Sequence, residues 1–277
     1  MKAKILSISG GIDSVSLLHM MHRDPTVIVA HFNHGIRENS DTDETFVQKL
    51  AKTYQLPFVS GRENLGPNCS ESHAREHRYS FLKAICQKHH GEIYTAHHQD
   101  DLVETIAINI LRGTGWRGLV PFGNAEIHRP LINMTKNNIL QYAAQHNLIF
   151  RHDASNTDNQ YLRNRLRGQL TGLSPEQKHR LILLYSQQKS LKSSIDQILQ
   201  DILPGDNIYQ RSWFTNLNDA VAIEILRAGL AKVNRTATRP QLTDFLSAIR
   251  TYGTNKKFNL DNGYLVTMGR KNFQIML

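Results

Sequence analysis

The stretch Lys4-Ile5-Leu6-Ser7-Ile8-Ser9-Gly10-Gly11-Ile12-Asp13-Ser14-Val15-Ser16-Leu17-Leu18-His19 decides the fold. Six residues of strand character run into a Gly-Gly turn and out into a helix, so free backbone N–H groups point at whatever lies above the turn. Gly10 and Gly11 admit an anion close to the backbone, Ser9 and Ser14 add hydroxyl donors, and the helix N-terminus adds partial positive charge. Asp13 is the odd member. A carboxylate beside a bound phosphate makes sense when a divalent cation bridges the two, so the stretch predicts a nucleotide held with magnesium. The spacing and the lysine of the GxxxxGK[ST] loop are absent. The plain alternative is a strand–turn–helix junction whose glycines only make the bend; the flanking serines and the acid weigh against it.

Outward from this stretch the pattern repeats. Thr26–Phe32 is a β-branched run too short for a helix and apolar enough for a strand buried on both faces. A helix from Asp41 to about Tyr54, a strand at Pro57–Ser60, a helix from Glu71 to His89, a strand at Glu92–His97 and a helix from Asp100 to Arg112 follow. Arg129–Ile132 and a helix from about Thr135 to His146 complete this part. Alternation at this spacing means right-handed crossovers: an α/β fold, a doubly wound and mostly parallel sheet. Ligands in such sheets bind beyond the carboxyl ends of the strands, so the segments after the first, second and fourth strands face one crevice.

Ser174-Pro175-Glu176-Gln177 reads as an N-cap, a first-turn proline and a capping glutamine, opening a long helix to about Leu203. Helices near Asp219–Lys232 and Pro240–Thr251 precede two strands, Lys256–Leu260 and Tyr264–Met268, turning at Asp261-Asn262-Gly263. The expected organisation is therefore a nucleotide-binding domain at 1–173 and a smaller, mainly helical domain at 174–277.

The chain of 277 residues has net charge +9 and pI about 9.6. Residues 1–173 carry 19 basic and 16 acidic side chains, residues 174–277 carry 14 and 8. The shorter part is the more basic, as expected if it holds a polyanion while the first part keeps carboxylates for chemistry. No apolar run approaches a membrane span and the start lacks a signal-peptide pattern, so no membrane association and a cytoplasmic location are expected. Cys69 and Cys86 are not at metal-ligand or CxxC spacing, which argues against a disulfide framework and against iron–sulfur or persulfide chemistry.

The fourth strand runs into Thr95-Ala96-His97-His98-Gln99-Asp100-Asp101-Leu102-Val103-Glu104-Thr105. Asp100 or Asp101 and Glu104, three to four apart at a helix start, share a face beside the crevice of Asp13, where carboxylates can hold magnesium against phosphates. Acids favour helix N-termini in any case; the glycine loop in the same crevice tips the reading toward function. After the second strand, His34 offers a proton donor or acceptor and Arg37 a charge to neutralise phosphate. His73-Ala74-Arg75-Glu76-His77 matches the HxxEH pattern of inverted zinc peptidases, but it sits inside a strand–helix–strand unit and no third ligand is identifiable.

Ser9–Ser14 resembles the SGGxDS loop of ATP-dependent enzymes that transfer AMP to a substrate, the PP-loop ATPases. With His31–Arg37, Ala74–Phe81, Thr95–Thr105, Arg112-Gly113-Thr114-Gly115, Arg129-Pro130-Leu131, Asp153-Ala154-Ser155-Asn156 and Arg163-Asn164-Arg165-Leu166-Arg167, the order resembles the tRNA(Ile)-lysidine synthetase family over residues 1 to about 167. The resemblance implies an enzyme that uses ATP and magnesium to adenylate the wobble cytidine of a tRNA(Ile) with a CAU anticodon. Free L-lysine then displaces AMP through its ε-amine. It implies ATP binding by Ser9, Gly10, Gly11, Ile12, Asp13 and Ser14. It gives Asp13, Asp101 and Glu104 to magnesium or lysine, with Asp13 and Asp101 as the metal ligands. Arg112 joins His34 and Arg37 among the catalytic groups, and Arg163, Arg165 and Arg167 meet tRNA. Leu102 departs from the usual polar residue, and the chain reads as a short form without a further C-terminal domain; a homodimer stays open. A related tRNA thiolase is the nearest rival, disfavoured by the cysteine spacing, and a non-catalytic nucleotide-binding module would not need the second acidic cluster.

Overall fold

The computed structural model describes residues 1–35, 40–66, 69–123, 126–151, 172–261 and 264–276. The chain divides into two compact units, Met1–Gln188 and Lys189–Leu277.

In the first unit five parallel strands lie in the order β3-β2-β1-β4-β5: β1 Lys4–Ser7, β2 Val27–Asn33, β3 Phe58–Arg62, β4 Glu92–Tyr94 and β5 Ile127–His128. The helices are α1 Ile12–Met21, α2 Ser40–Thr53, α3 Glu71–His89, α4 Gln99–Leu111 and α5 Lys136–Gln145, with a short 3₁₀ turn at Trp116–Leu119. Side chains alternate across each strand and sort the core into two layers. Leu6, Ile8, Val27 and Val29 pack with Leu17 and Leu18 of α1, Val47 and Ala51 of α2 and Ile139 of α5. Ile5, Ile28, Ala30 and Ile93 pack on the opposite face with Leu82 and Ile85 of α3. Both faces of β2 are therefore covered, which is why its sequence is a continuous apolar run.

The strand order reverses between β1 and β4, and the loops leaving these neighbours diverge to open a crevice at that switch point. The glycine loop follows β1; His97–Asp101 follows β4. The last strand is Ile127–His128 rather than Arg129–Ile132, because Pro130 has no N–H for a ladder and the next residues close turns, Ile132 N to Arg129 O at 3.1 Å and Met134 N to Leu131 O at 2.9 Å.

The helix α6, Pro175–Ile202, begins in the first unit and ends in the second. Its start is capped reciprocally, Gln177 N donating to Ser174 Oγ at 3.2 Å and Ser174 N to Gln177 Oε1 at 2.8 Å. The second unit adds α7 Arg211–Asn216, α8 Asp219–Lys232 and α9 Arg239–Thr251 around a core of Tyr209, Phe214, Leu226, Leu230, Phe245 and Phe273. The expected closing strand pair is present as a hairpin, β7 Lys257–Asp261 with β8 Tyr264–Thr267, its ends within one residue of the expected bounds. A second antiparallel pair, β6 Ile208–Gln210 with β9 Asn272–Gln274, has no sequence signal: three residues cannot establish an alternation, and only the folded core brings them together. Among the described residues no helix is long and apolar enough to cross a membrane.

Candidate nucleotide site and its carboxylate cluster

The loop after β1 is wound around Ser14. Its Oγ accepts the N–H groups of Ser9 at 3.2 Å and Gly10 at 3.1 Å and donates to Gly11 O at 2.9 Å, while Gly11 N–H reaches Ser9 Oγ at 3.4 Å. Ser14 thus braces the loop from beneath. Gly10 takes a left-handed backbone, φ +94°, where a Cβ would meet the ring of Phe46 at 3.3 Å. Gly11 precedes the first turn of α1 in extended conformation, and no side chain caps the helix there. The first-turn N–H groups remain available to an anion.

Asp13, in that first turn, places Oδ1 2.5 Å from Lys136 Nζ and 3.9 Å from His98 Nε2. The same His98 nitrogen lies 3.5 Å from Asp101 Oδ2, so one nearly buried imidazole stands between the carboxylates of the two loops. Asp101 Oδ2 also accepts His98 N–H at 3.0 Å, which fixes the start of α4. Asp100 accepts Lys136 N–H at 2.8 Å and Lys178 Nζ at 3.0 Å. Burial opposes its ionisation, but these two donors, the Lys178 charge and His98 outweigh it and hold the carboxyl below its ordinary range. Glu104 lies one turn further along α4 and is only 4% exposed.

His98, Lys136 and Lys178 carry no role in the sequence reading, and neither does Arg151. Arg151 N donates to Gly10 O at 2.9 Å and its side chain pairs with Asp43 at 3.0 Å and Thr42 Oγ1 at 2.9 Å, tying the glycine loop to α2. Lys136 did leave a trace: a lysine as the first residue of a helix opposes the helix dipole and calls for an acid elsewhere. Lys178 and Arg151 left none, since their partners are distant in sequence.

His34 follows β2 at the carboxyl edge of the sheet, edge-on to Phe32 with ring centroids 4.7 Å apart. Arg37, Arg163, Arg165 and Arg167 lie outside the described residues. Arg112 sits exposed past the C-terminal end of α4, eleven residues from Asp101 and so roughly 16 Å along the axis. It is not gathered with the carboxylates. His73 and His77 face one another on α3 with Nε2 atoms 3.1 Å apart, His77 Nδ1 pairing with Glu63. Among the described residues no group of three metal-ligating side chains assembles, there or elsewhere. Both cysteines are free, and burial followed by Glu126 and Glu92 pushes the Cys86 thiol up, away from thiolate chemistry.

A parallel sheet in this order, with a glycine–serine anion cradle and a second acidic loop at its switch point, defines an α/β nucleotide-binding protein. Residues 1–173 match the PP-loop domain family, and the chain belongs to it. A tRNA(Ile)-lysidine synthase of Streptococcus thermophilus is 30% identical over 296 residues, 99% of this chain and 66% of the relative. One from Bacillus subtilis is 38% identical over 181 residues, 59% of this chain and 38% of that protein. The chain spans just under two thirds of the length of the curated relatives it matches along nearly its whole length. Among solved structures, the U34-tRNA thiolase NcsA from Methanococcus maripaludis with its [4Fe-4S] cluster matches with TM-score 0.59 and 16% identity, covering 68% of this chain and 72% of that one, a likeness of fold.

Proposed function

We propose that this protein ligates free L-lysine to the wobble cytidine of a tRNA(Ile) with a CAU anticodon, through an adenylated cytidine, in the cytoplasm. The observation that carries the reading is Asp13 and Asp101 facing each other across His98 beside the glycine loop, in a chain whose relatives bear the name tRNA(Ile)-lysidine synthase. In the first step a cytidine oxygen attacks the α-phosphorus of ATP and pyrophosphate leaves; the loop Ser9–Ser14 holds the phosphates, through the first-turn N–H groups of α1. In the second the lysine ε-amine attacks the activated ring carbon and AMP leaves with that oxygen. Cytidine resists amines until its oxygen departs as part of a phosphate.

Magnesium fits the donor set. Asp13 and Asp101 offer hard oxygens, Asp13 already faces a cationic Lys136, and two carboxylates with no third ligand among the described residues suit an ion that keeps waters and takes phosphate oxygens. When bound there it would neutralise phosphate charge that grows during adenylyl transfer. His98 orients Asp101, and Lys136 and Lys178 place positive charge among the carboxylates. Glu104 and Asp101 suit the recognition of an ammonium. Arg37 neutralises phosphate and His34 exchanges a proton at the crevice mouth. Arg112, Arg163, Arg165, Arg167 and the basic region beyond residue 174 contact tRNA.

The test is AMP release from ATP with an isoleucine CAU transcript beside a methionine CAU transcript. Release that needs both lysine and the isoleucine transcript supports the reading; ATP consumption indifferent to lysine sinks it. Asp13→Ala is expected to abolish lysine incorporation, and full incorporation by that variant would remove the magnesium assignment.

A further inference from the structure

Arg129 follows β5 directly and so stands on the same edge of the sheet as the glycine loop and the His97–Asp101 loop. A guanidinium has five N–H donors. Among the described residues only those of Nη1 are used, to Phe122 O at 3.1 Å and Ile127 O at 2.9 Å. Nε is buried without a partner, and among the described residues Nη2 makes no hydrogen bond and no carboxylate pairs with the side chain. The unused donors form the Nε–Nη2 edge, the fork that grips two oxygens of a carboxylate or phosphate at once.

The surroundings accentuate the vacancy of charge. The guanidinium lies over the ring of Phe122 at 4.7 Å, and Phe122 adopts φ +64°, a left-handed backbone that a bulky residue takes only when its environment imposes it. Phe122 thereby offers Arg129 both its carbonyl and its ring. That ring also leads back to the site, since it is 5.0 Å from that of His97. Arg75 of α3, half-buried and stacked at 4.8 Å on Tyr79, brings a second guanidinium close enough to repel the first, and Tyr79 and Tyr185 face it as well. Burial and then Arg75 push the ionisation of Arg129 downward. A staple for the loop before β5 would need only Nη1.

We propose that Arg129, seconded by Arg75, is an oxyanion subsite of the crevice, its Nε–Nη2 edge taking one oxyanion of a substrate: the carboxylate of free lysine or a phosphodiester of the RNA. The identity of those substrates rests on the proposed function; the subsite itself does not.

The test reads the guanidinium directly. In the full chain, the ¹⁵Nε–¹Hε resonance of Arg129, assigned by its loss in Arg129→Lys, is followed while inorganic phosphate or acetate replaces chloride at constant ionic strength. A saturable shift is expected, weakened at least about threefold in Arg75→Gln, which removes a neighbouring charge without touching the Nη1 bonds. A shift no larger than chloride produces, or one indifferent to Arg75→Gln, overturns the subsite. If Arg129→Lys does not fold, selective ¹⁵N-arginine labelling with Phe122→Leu, which removes the ring current over Arg129, assigns the resonance instead. L-lysine is then set against lysinamide, and an anticodon stem-loop RNA against both. Competition by lysine but not lysinamide assigns the carboxylate; competition by the RNA alone assigns the phosphodiester; competition by neither overturns the link to substrates. A saturable phosphate shift in a protein without lysine-dependent AMP release would discard the lysidine reading and keep the subsite.

Discussion

Adjacent glycines of the loop after β1 answer to opposite rules, and alanine at each separates them. Gly10 has φ +94°, and a Cβ there meets Phe46 Cδ1 at 3.3 Å, Val47 Cγ2 at 3.5 Å and Arg151 Cγ at 3.7 Å. A left-handed conformation imposed on alanine costs about 1–3 kcal/mol, of which about 0.4–1 kcal/mol is offset because alanine restricts the unfolded chain. Gly10→Ala is therefore expected to destabilise the first unit by about 1–2 kcal/mol, with the Phe46 contact pushing toward the upper figure. Gly11 has φ −74° and ψ 161°, and a Cβ there meets only Ser9 Oγ at 3.7 Å. Gly11→Ala should stabilise by about 0.4–1 kcal/mol, while its methyl, beside Ser9 Oγ, is expected to weaken ATP binding. The chain has two tryptophans, Trp116 in the first unit and Trp213 in the second. On a Trp213→Phe background, Trp116 fluorescence in urea isolates the first unit, and ATP binding is measured by calorimetry. Equal midpoints for the two variants, or Gly11→Ala the less stable, would refute the conformational argument.

In the second unit Arg211 donates to Ile249 O at 2.8 Å, Tyr252 O at 2.6 Å and Gly269 O at 3.1 Å. Arg211→Ala leaves these carbonyls bare and should cost about 3 kcal/mol, read from Trp213 fluorescence, with the Trp116 transition unmoved. Tyr209 is fully buried with no partner for its hydroxyl, and burial followed by Asp206 and Tyr264 pushes its ionisation up to about 12. Tyr209→Phe removes the stranded hydroxyl and should leave stability unchanged or raise it by up to about 1 kcal/mol; a loss would mean that the hydroxyl has a partner in solution. His19 is held below its ordinary value of 6.5 by burial first, then by His146, His22 and Arg23. Folded, it binds fewer protons than unfolded, so its contribution is intact above pH 6.5 and is lost as pH falls through 6.5 toward the depressed native value. Urea midpoints of the Trp116 transition should drop on acidification across that window, less steeply in His19→Gln; equal slopes would remove His19 as the cause.

Much of the first unit was legible because its signals are local. β2 announces itself by a run apolar on both faces, α3 by a start and stop at Glu71 and His89, α6 by Ser174 and Gln177. The glycine loop was legible because only a tight turn before a helix spends two glycines between serines, and Asp13 because an acid is out of place there. What the sequence determined alone is thus the alternation of elements, the Gly-Gly turn between strand and helix, and the acidic start of α4. What only the tertiary structure decided is how these meet. Lys136 reaches Asp13 across 123 residues and Lys178 reaches Asp100 across 78, and β6 finds β9 through a shared core. The same packing set Arg112 at the far end of α4 from Asp101 and buried Glu104. The physical reason is the range of the forces: backbone preference and capping act within a turn of chain and are written there, whereas ion pairs and burial act through space and depend on which loops the strand order makes neighbours.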